Sequence, residues 1–231
     1  MSKTTASTAK SRDLTQGSIA KTMLLFALPT LGSSALQSLN GSINAVWVGR
    51  FLGEEALAAT ANGNILMFIL ISFVFGFGMA ATILIGQAMG RRNDTMVKRT
   101  MGTALGSIIP ISIVVSAVGW IFAPMLLDLL GTPPSAADLA LTYLRMIFIA
   151  MPVTLTFTLI MMALRGTGDS TTPLWFIIIS VIIDLILTPT LILGLGPFPE
   201  WGIFGAAFAT AVANTLALIG MVVTMYVRAQ C

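Results

Sequence analysis

The sequence predicts an all-α integral membrane protein with six transmembrane helices. Hydrophobic residues fill 56% of the 231 positions and charged residues only 9%, against roughly 25% charged in an average soluble domain. Apolar stretches recur near 20–47, 56–88, 101–130, 139–163, 173–195 and 202–227, each long enough for the about 20 residues that cross a hydrocarbon core of roughly 30 Å. They lack the alternating segments of about ten residues that mark a membrane barrel. Several runs exceed the minimum, so tilt, kinks or protrusion are expected.

Residues 1–18 are polar and rich in Ser and Thr, which predicts a cytoplasmic tail ahead of a six-helix lobe at 19–231. Basic residues before Met23–Leu28 imitate a secretory signal. The apolar pattern runs on past Pro29 without a clear cleavage site, so the first helix is retained. The second span runs into Gly86–Arg99, a turn carrying Arg91, Arg92, Lys98 and Arg99, suited to topogenic charge or to a helix at the membrane surface. The fourth span ends in Leu164–Pro173, dense in turn formers, with Pro173 placed for the first turn of the fifth helix. Gly196–Gly202 reads as a short rigid outer turn, and Trp201 as an interfacial anchor.

Ten of the twelve basic residues fall at the N-terminus, in the even-numbered loops or at the C-terminus: Lys3, Lys10, Arg12, Lys21, Arg91, Arg92, Lys98, Arg99, Arg165 and Arg228. Arg50 and Arg145 are the other two. The positive-inside rule then places both termini in the cytoplasm. The net charge of +3 is spread by topology and forms no single patch of the kind that binds nucleic acid. With no histidine and one cysteine, Cys231, the chain offers no imidazole catalysis, no internal disulfide and no ordinary zinc cluster.

Polar residues inside the spans follow helical spacing. Thr30, Ser34, Gln37, Gly41 and Asn44 share a face of the first helix, Ser180, Asp184 and Thr188 a face of the fifth, and Thr210 and Asn214 a face of the sixth. Polar side chains gain nothing against lipid, so the stripes are expected to face one another or a watery cavity. Asp184 is the one charged side chain in the 22 residues from Leu174 to Leu195. A charge at that depth costs about 2.5–3.5 kcal/mol on insertion scales, which marks it as a functional candidate. Pro29 and Pro189 each remove a backbone donor inside a span and free a carbonyl for other partners.

Three segments resemble the MATE family, the multidrug and toxic compound extrusion transporters. They are Leu39–Gly53 (LNGSINAVWVGRFLG), Ala163–Pro173 (ALRGTGDSTTP, similar to the family's L-R-G-x-G-D-x-x-x-P) and Ile183–Thr210, with Thr188-Pro189 and Gly205-Ala-Ala-Phe-Ala-Thr. The resemblance implies one six-helix lobe of a twelve-helix fold in which two lobes face a central cavity. It departs at two places. Asn44 stands where many members have an Asp, and the family's N-x-x-x-D-P reads Asp184-Leu-Ile-Leu-Thr188-Pro189, with the carboxylate one turn earlier.

The function implied is secondary antiport: H⁺ or Na⁺ enters while an organic, often cationic, compound is exported. No cofactor beyond that ion is expected, and the chain has no Walker-type loop for ATP. Asp184, Asn44, Thr188 and Thr210 are the expected ion-coupling residues, with Gln37, Ser180 and Asn214 in the substrate cavity. The setting implied is the plasma membrane, the inner membrane in a bacterium, and the partners are lipid, the organic cation and a second lobe or second copy. Two alternatives stand beside this reading. One is a lipid-linked oligosaccharide flippase of related architecture, which a central Lys or Arg would favour and no span supplies; the other is a lobe inactive without its partner. Enzymatic activity is not expected, because one intramembrane acid lacks a nucleophile, metal cluster or second acid to work with.

Overall fold

A computed structural model describes residues 19–194 and 199–230. Residues 1–18, where a tail was expected, 195–198, within the expected outer turn, and Cys231 lie outside the described residues. Among the described residues five helices follow one another: α1 (Ile19–Gly90), α2 (Asp94–Leu129), α3 (Pro134–Gly166), α4 (Thr171–Leu193) and α5 (Gly202–Gln230). All five are long and apolar enough to cross a membrane. The count is five where six was expected, because α1 contains both of the first two expected spans.

A straight α1 of 72 residues would extend ~108 Å at 1.5 Å per residue, far beyond any bilayer. It turns at Gly53, whose φ of 85° and ψ of −175° lie outside the helical region. Beyond the turn, a Leu57 Cδ atom comes within 3.4 Å of where a Cβ on Gly49 would sit, although eight helical residues would separate the two by ~12 Å. The stretch 48–55, read from the sequence as a gap between spans, is therefore helix on both sides of one glycine. Only glycine takes that backbone conformation without steric cost.

Local chemistry sets the other boundaries. The Asn93 side chain accepts from Met96 N at 3.0 Å and starts α2, just after Arg92 at a positive φ of 53°. Pro134 opens α3 at the first helical position, where a missing N–H has no consequence. In the Leu164–Pro173 turn, Asp169 Oδ1 accepts from the backbone N–H groups of Thr171 and Thr172 at 3.2 and 2.9 Å, satisfying donors that the start of α4 leaves open. The string that most resembles the family motif is thus, physically, a helix start.

The arms of α1, 19–52 and 54–90, pack in parallel with helices much later in the chain. Gly63 lies against Tyr143 and Gly86 against the Gly166 carbonyl, and Thr82 donates to Met162 O at 3.0 Å, so the second arm runs alongside α3 at an offset of 80 residues. Gly32 meets Leu174, which sets the first arm beside α4. Helix α5 returns antiparallel to α4, with Gly205 against Leu191 and Gly220 against Phe176. A Cβ on Gly205 would come 2.9 Å from Leu191 O, so this crossing requires the missing side chain.

The start of α1, the α1–α2 turn, the α3–α4 turn and the later part of α5 therefore lie at one end of the bundle. That end carries Arg91, Arg92, Lys98, Arg99 and Arg165. Helix α3 is the central post: Ala140, Leu144, Phe148, Met151, Leu155 and Leu159 are buried at helical spacing. Outward faces are apolar, as Ile113, Val114, Ile121, Phe122 and Met125 of α2 illustrate.

Candidate functional site

Asp184 is 1% exposed, in the interior of α4. Four side-chain donors from three elements converge on it. Asn40 Nδ2 and Asn44 Nδ2, from the first arm of α1, both donate to Oδ2 at 2.7 Å. Thr188 Oγ1, one turn on in α4, donates to Oδ1 at 3.2 Å, and Thr210 Oγ1 from α5 donates to the same oxygen at 3.0 Å. The two amide contacts are at the short end of the range for an ionic acceptor. An ionised carboxylate, acceptor-only with about four lone-pair sites, uses all of them.

The two oxygens are not equivalent. Oδ2 faces amide N–H donors, which cannot accept a proton in return. Oδ1 faces hydroxyls, which donate or accept. Thr210 Oγ1 also lies 3.3 Å from Ala206 O, so its single hydrogen has two acceptors within reach. If Asp184 is protonated on Oδ1, Thr210 can turn its hydrogen to Ala206 O and accept from the acid. The Oδ1 atoms of Asn40 and Asn44 are buried without a hydrogen-bond partner. Rotating either amide would aim a carbonyl oxygen where an N–H now points.

Of the residues expected from the sequence, Asp184, Asn44, Thr188 and Thr210 form this single group. One turn earlier in α4, Ser180 Oγ donates to Asn214 Oδ1 of α5 at 3.1 Å, extending the polar seam between the two helices. Gln37 is exposed on the same face of α1 as Asn40 and Asn44. Thr30 and Ser34 donate to the carbonyls of Phe26 and Thr30, so the early part of the first stripe is satisfied locally. Asn40 was missed, although its spacing of four from Asn44 was the available signal. Arg145 lies within α3, where its guanidinium carbon sits 4.8 Å from the centre of the Trp120 ring of α2. Trp201 packs edge-on against Phe204 and Phe208 of α5.

A family model described as MatE matches residues 29–190 of this chain. The chain belongs to the MATE family. It is 40% identical over 211 residues to the probable multidrug resistance protein YoeA of Bacillus subtilis, covering 91% of this chain and 45% of that protein. To the FAD transporter of Shewanella oneidensis it is 32% identical over 200 residues, with 87% and 44% covered. A solved MOP superfamily transporter from Pyrococcus furiosus shares the fold at a TM-score of 0.86 and 21% identity, covering 96% of this chain and 48% of that one. An outward-facing multidrug resistance MATE transporter matches at a TM-score of 0.87 with the same identity and coverage. This MATE chain thus spans about half the length of the relatives it matches.

Proposed function

We propose that this chain is the ion-responsive lobe of a secondary antiporter that exports organic, often cationic, compounds, working with a second lobe across a shared cavity. The observation that carries the reading is the convergence of Asn40, Asn44, Thr188 and Thr210 on one buried carboxylate. A group that binds and releases an ion must suit both states. The hydroxyls on Oδ1 can reverse direction for a proton, and the amides of Asn40 and Asn44 can turn their unpartnered oxygens toward a bare cation. Either ion would remove the negative charge that an ionised Asp184 presents to the cavity. An organic cation and the coupling ion would then compete for that charge, and alternate loading is the basis of exchange.

Half the length of the relatives and the exposed polar side chains of the first arm, Gln37, Ser38 and Ser42, support a facing lobe as partner. A plasma membrane setting with both chain ends cytoplasmic completes the reading. The test is ion-driven efflux of a cationic dye from proteoliposomes holding the chain alone and holding it with a second lobe. Efflux is expected only from the assembly and is expected to vanish with Asp184→Asn. Efflux at the unmodified rate by a well-folded Asp184→Asn assembly would remove the acid from the mechanism, and efflux by a demonstrated monomer would remove the need for a partner.

A further inference from the structure

A cleft of about 560 Å³ opens between the second arm of α1 and the first turns of α2, remote in the chain from every residue of the Asp184 group. Its volume falls within the roughly 300–1,000 Å³ of small-molecule sites. The two walls differ in chemistry. Phe77, Ala80 and Leu84 make the α1 wall apolar, whereas Arg99, Thr100 and Thr103 give the α2 wall a cation and two hydroxyls. Arg91 and Arg92 at the adjoining turn and Lys98 in the first turns of α2 are exposed, so four cations stand against one acid, Asp94, over residues 91–99. From Arg91 back to Phe77 is 14 residues, ~21 Å along the helix. The cleft therefore leads from the basic end of the bundle into its apolar length.

We propose that this cleft binds an anionic glycerophospholipid, with the phosphate on Arg99, the glycerol ester region beside Thr100 and Thr103, and an acyl chain along Phe77, Ala80 and Leu84. Charge complementarity selects the sign of the headgroup. A basic pocket between helices at the cytoplasmic side is a known physical solution for anionic lipids, and the same cation repels the organic cations proposed as cargo. The surroundings select lipid over a second lobe. Continuing each wall at helical spacing leads to exposed apolar side chains, Phe73 and Ile69 on α1 and Val114 and Ile121 on α2, whereas the polar face fit for a facing lobe is on the first arm.

The chain is purified in detergent, exchanged into mixed vesicles of phosphatidylglycerol and phosphatidylcholine with identical acyl chains, and its retained lipids are counted by native mass spectrometry. Wild type is expected to hold one phosphatidylglycerol in preference to phosphatidylcholine. Arg99→Gln should lower that preference about fivefold, the factor for one basic side chain near an anionic surface, and Arg99→Lys should restore most of it. Ala80→Leu fills the cleft at an exposed position without changing any charge and should also abolish selective retention. If Arg91→Gln matches Arg99→Gln and Ala80→Leu has no effect, the attraction is diffuse and the site does not exist. A photo-crosslinking side chain at Leu84 supplies the readout in cells: a lipid adduct supports the proposal, while a polypeptide adduct, or none, overturns it.

Discussion

Replacing Asp184 by Asn should disturb stability less than removing one of the amides that hold it. In the variant, the side-chain oxygen can take the Oδ2 position and keep both amide donors, Asn40 and Asn44, at their 2.7 Å contacts. The new NH₂ then faces Thr188 and Thr210, whose hydroxyls can turn to accept, and Thr210 can pass its hydrogen to Ala206 O. No donor is forced against a donor. Four bonds to an ionic acceptor become neutral at a loss of about 1 kcal/mol each, and relief from burying a charge returns several kcal/mol. The net change should stay within about 2 kcal/mol. Asn40→Ala instead leaves the carboxylate buried with a donor missing, at about 1.5–3 kcal/mol, or ~3–12 °C in melting temperature for a chain of this size. Thermal unfolding of the purified chain at neutral pH, followed by circular dichroism, ranks the variants. A larger loss for Asp184→Asn than for both Asn40→Ala and Asn44→Ala would refute the reasoning, because the carboxylate would then be a net source of stability.

At Gly53 a substitution meets open space yet an unfavourable backbone, so Gly53→Ala should cost about 1–3 kcal/mol through strain alone, visible in the same melts and relieved by a D-alanine at that position. Asp169→Ala removes the acceptor for two backbone donors at the start of α4 and should cost about 0.5–2 kcal/mol; unchanged amide exchange at Thr171 and Thr172 would contradict the capping role. Single-cysteine labelling of intact cells should find positions 92 and 168 accessible from the cytoplasm, and reagent reaching position 168 only from outside would invert the map.

The acid and most of its partners were legible because charge and polarity in a long apolar run have few structural uses, and a spacing of four fixes the shared face of Ser180, Asp184 and Thr188. Asn40 is less legible because Gly41 continues the three-and-four spacing of the first stripe from Gln37 to Asn44. At ~100° per residue, Asn40 lies only ~40° from Asn44, and its side chain, unlike that of glycine, reaches the carboxylate. The reversal at Gly53 was hidden for a different reason. Hydropathy finds where apolar runs pause, but a pause spanned by one glycine and a pause spanned by a loop look alike. Which helices neighbour one another is set by side-chain fit between distant segments, such as Gly63 on Tyr143, and no local pattern carries it. The same limit hid the cleft beside Arg99, whose two walls come from different helices.

Parallel neighbours impose an order on synthesis. Asn40 precedes the acid that receives its hydrogen bond by 144 residues, and at about 5–20 residues per second of translation that interval is ~7–29 s. Throughout it, Asn40 and Asn44 stand in a newly inserted helix with no carboxylate to serve. Thr210 arrives 26 residues after Asp184, ~1–5 s later at the same pace. The acid thus enters the bilayer with its amide donors already in place and waits only briefly for its last hydroxyl. The most costly group to bury therefore waits for its last partner over 26 residues of synthesis, against the 144 that separate Asn40 from the acid.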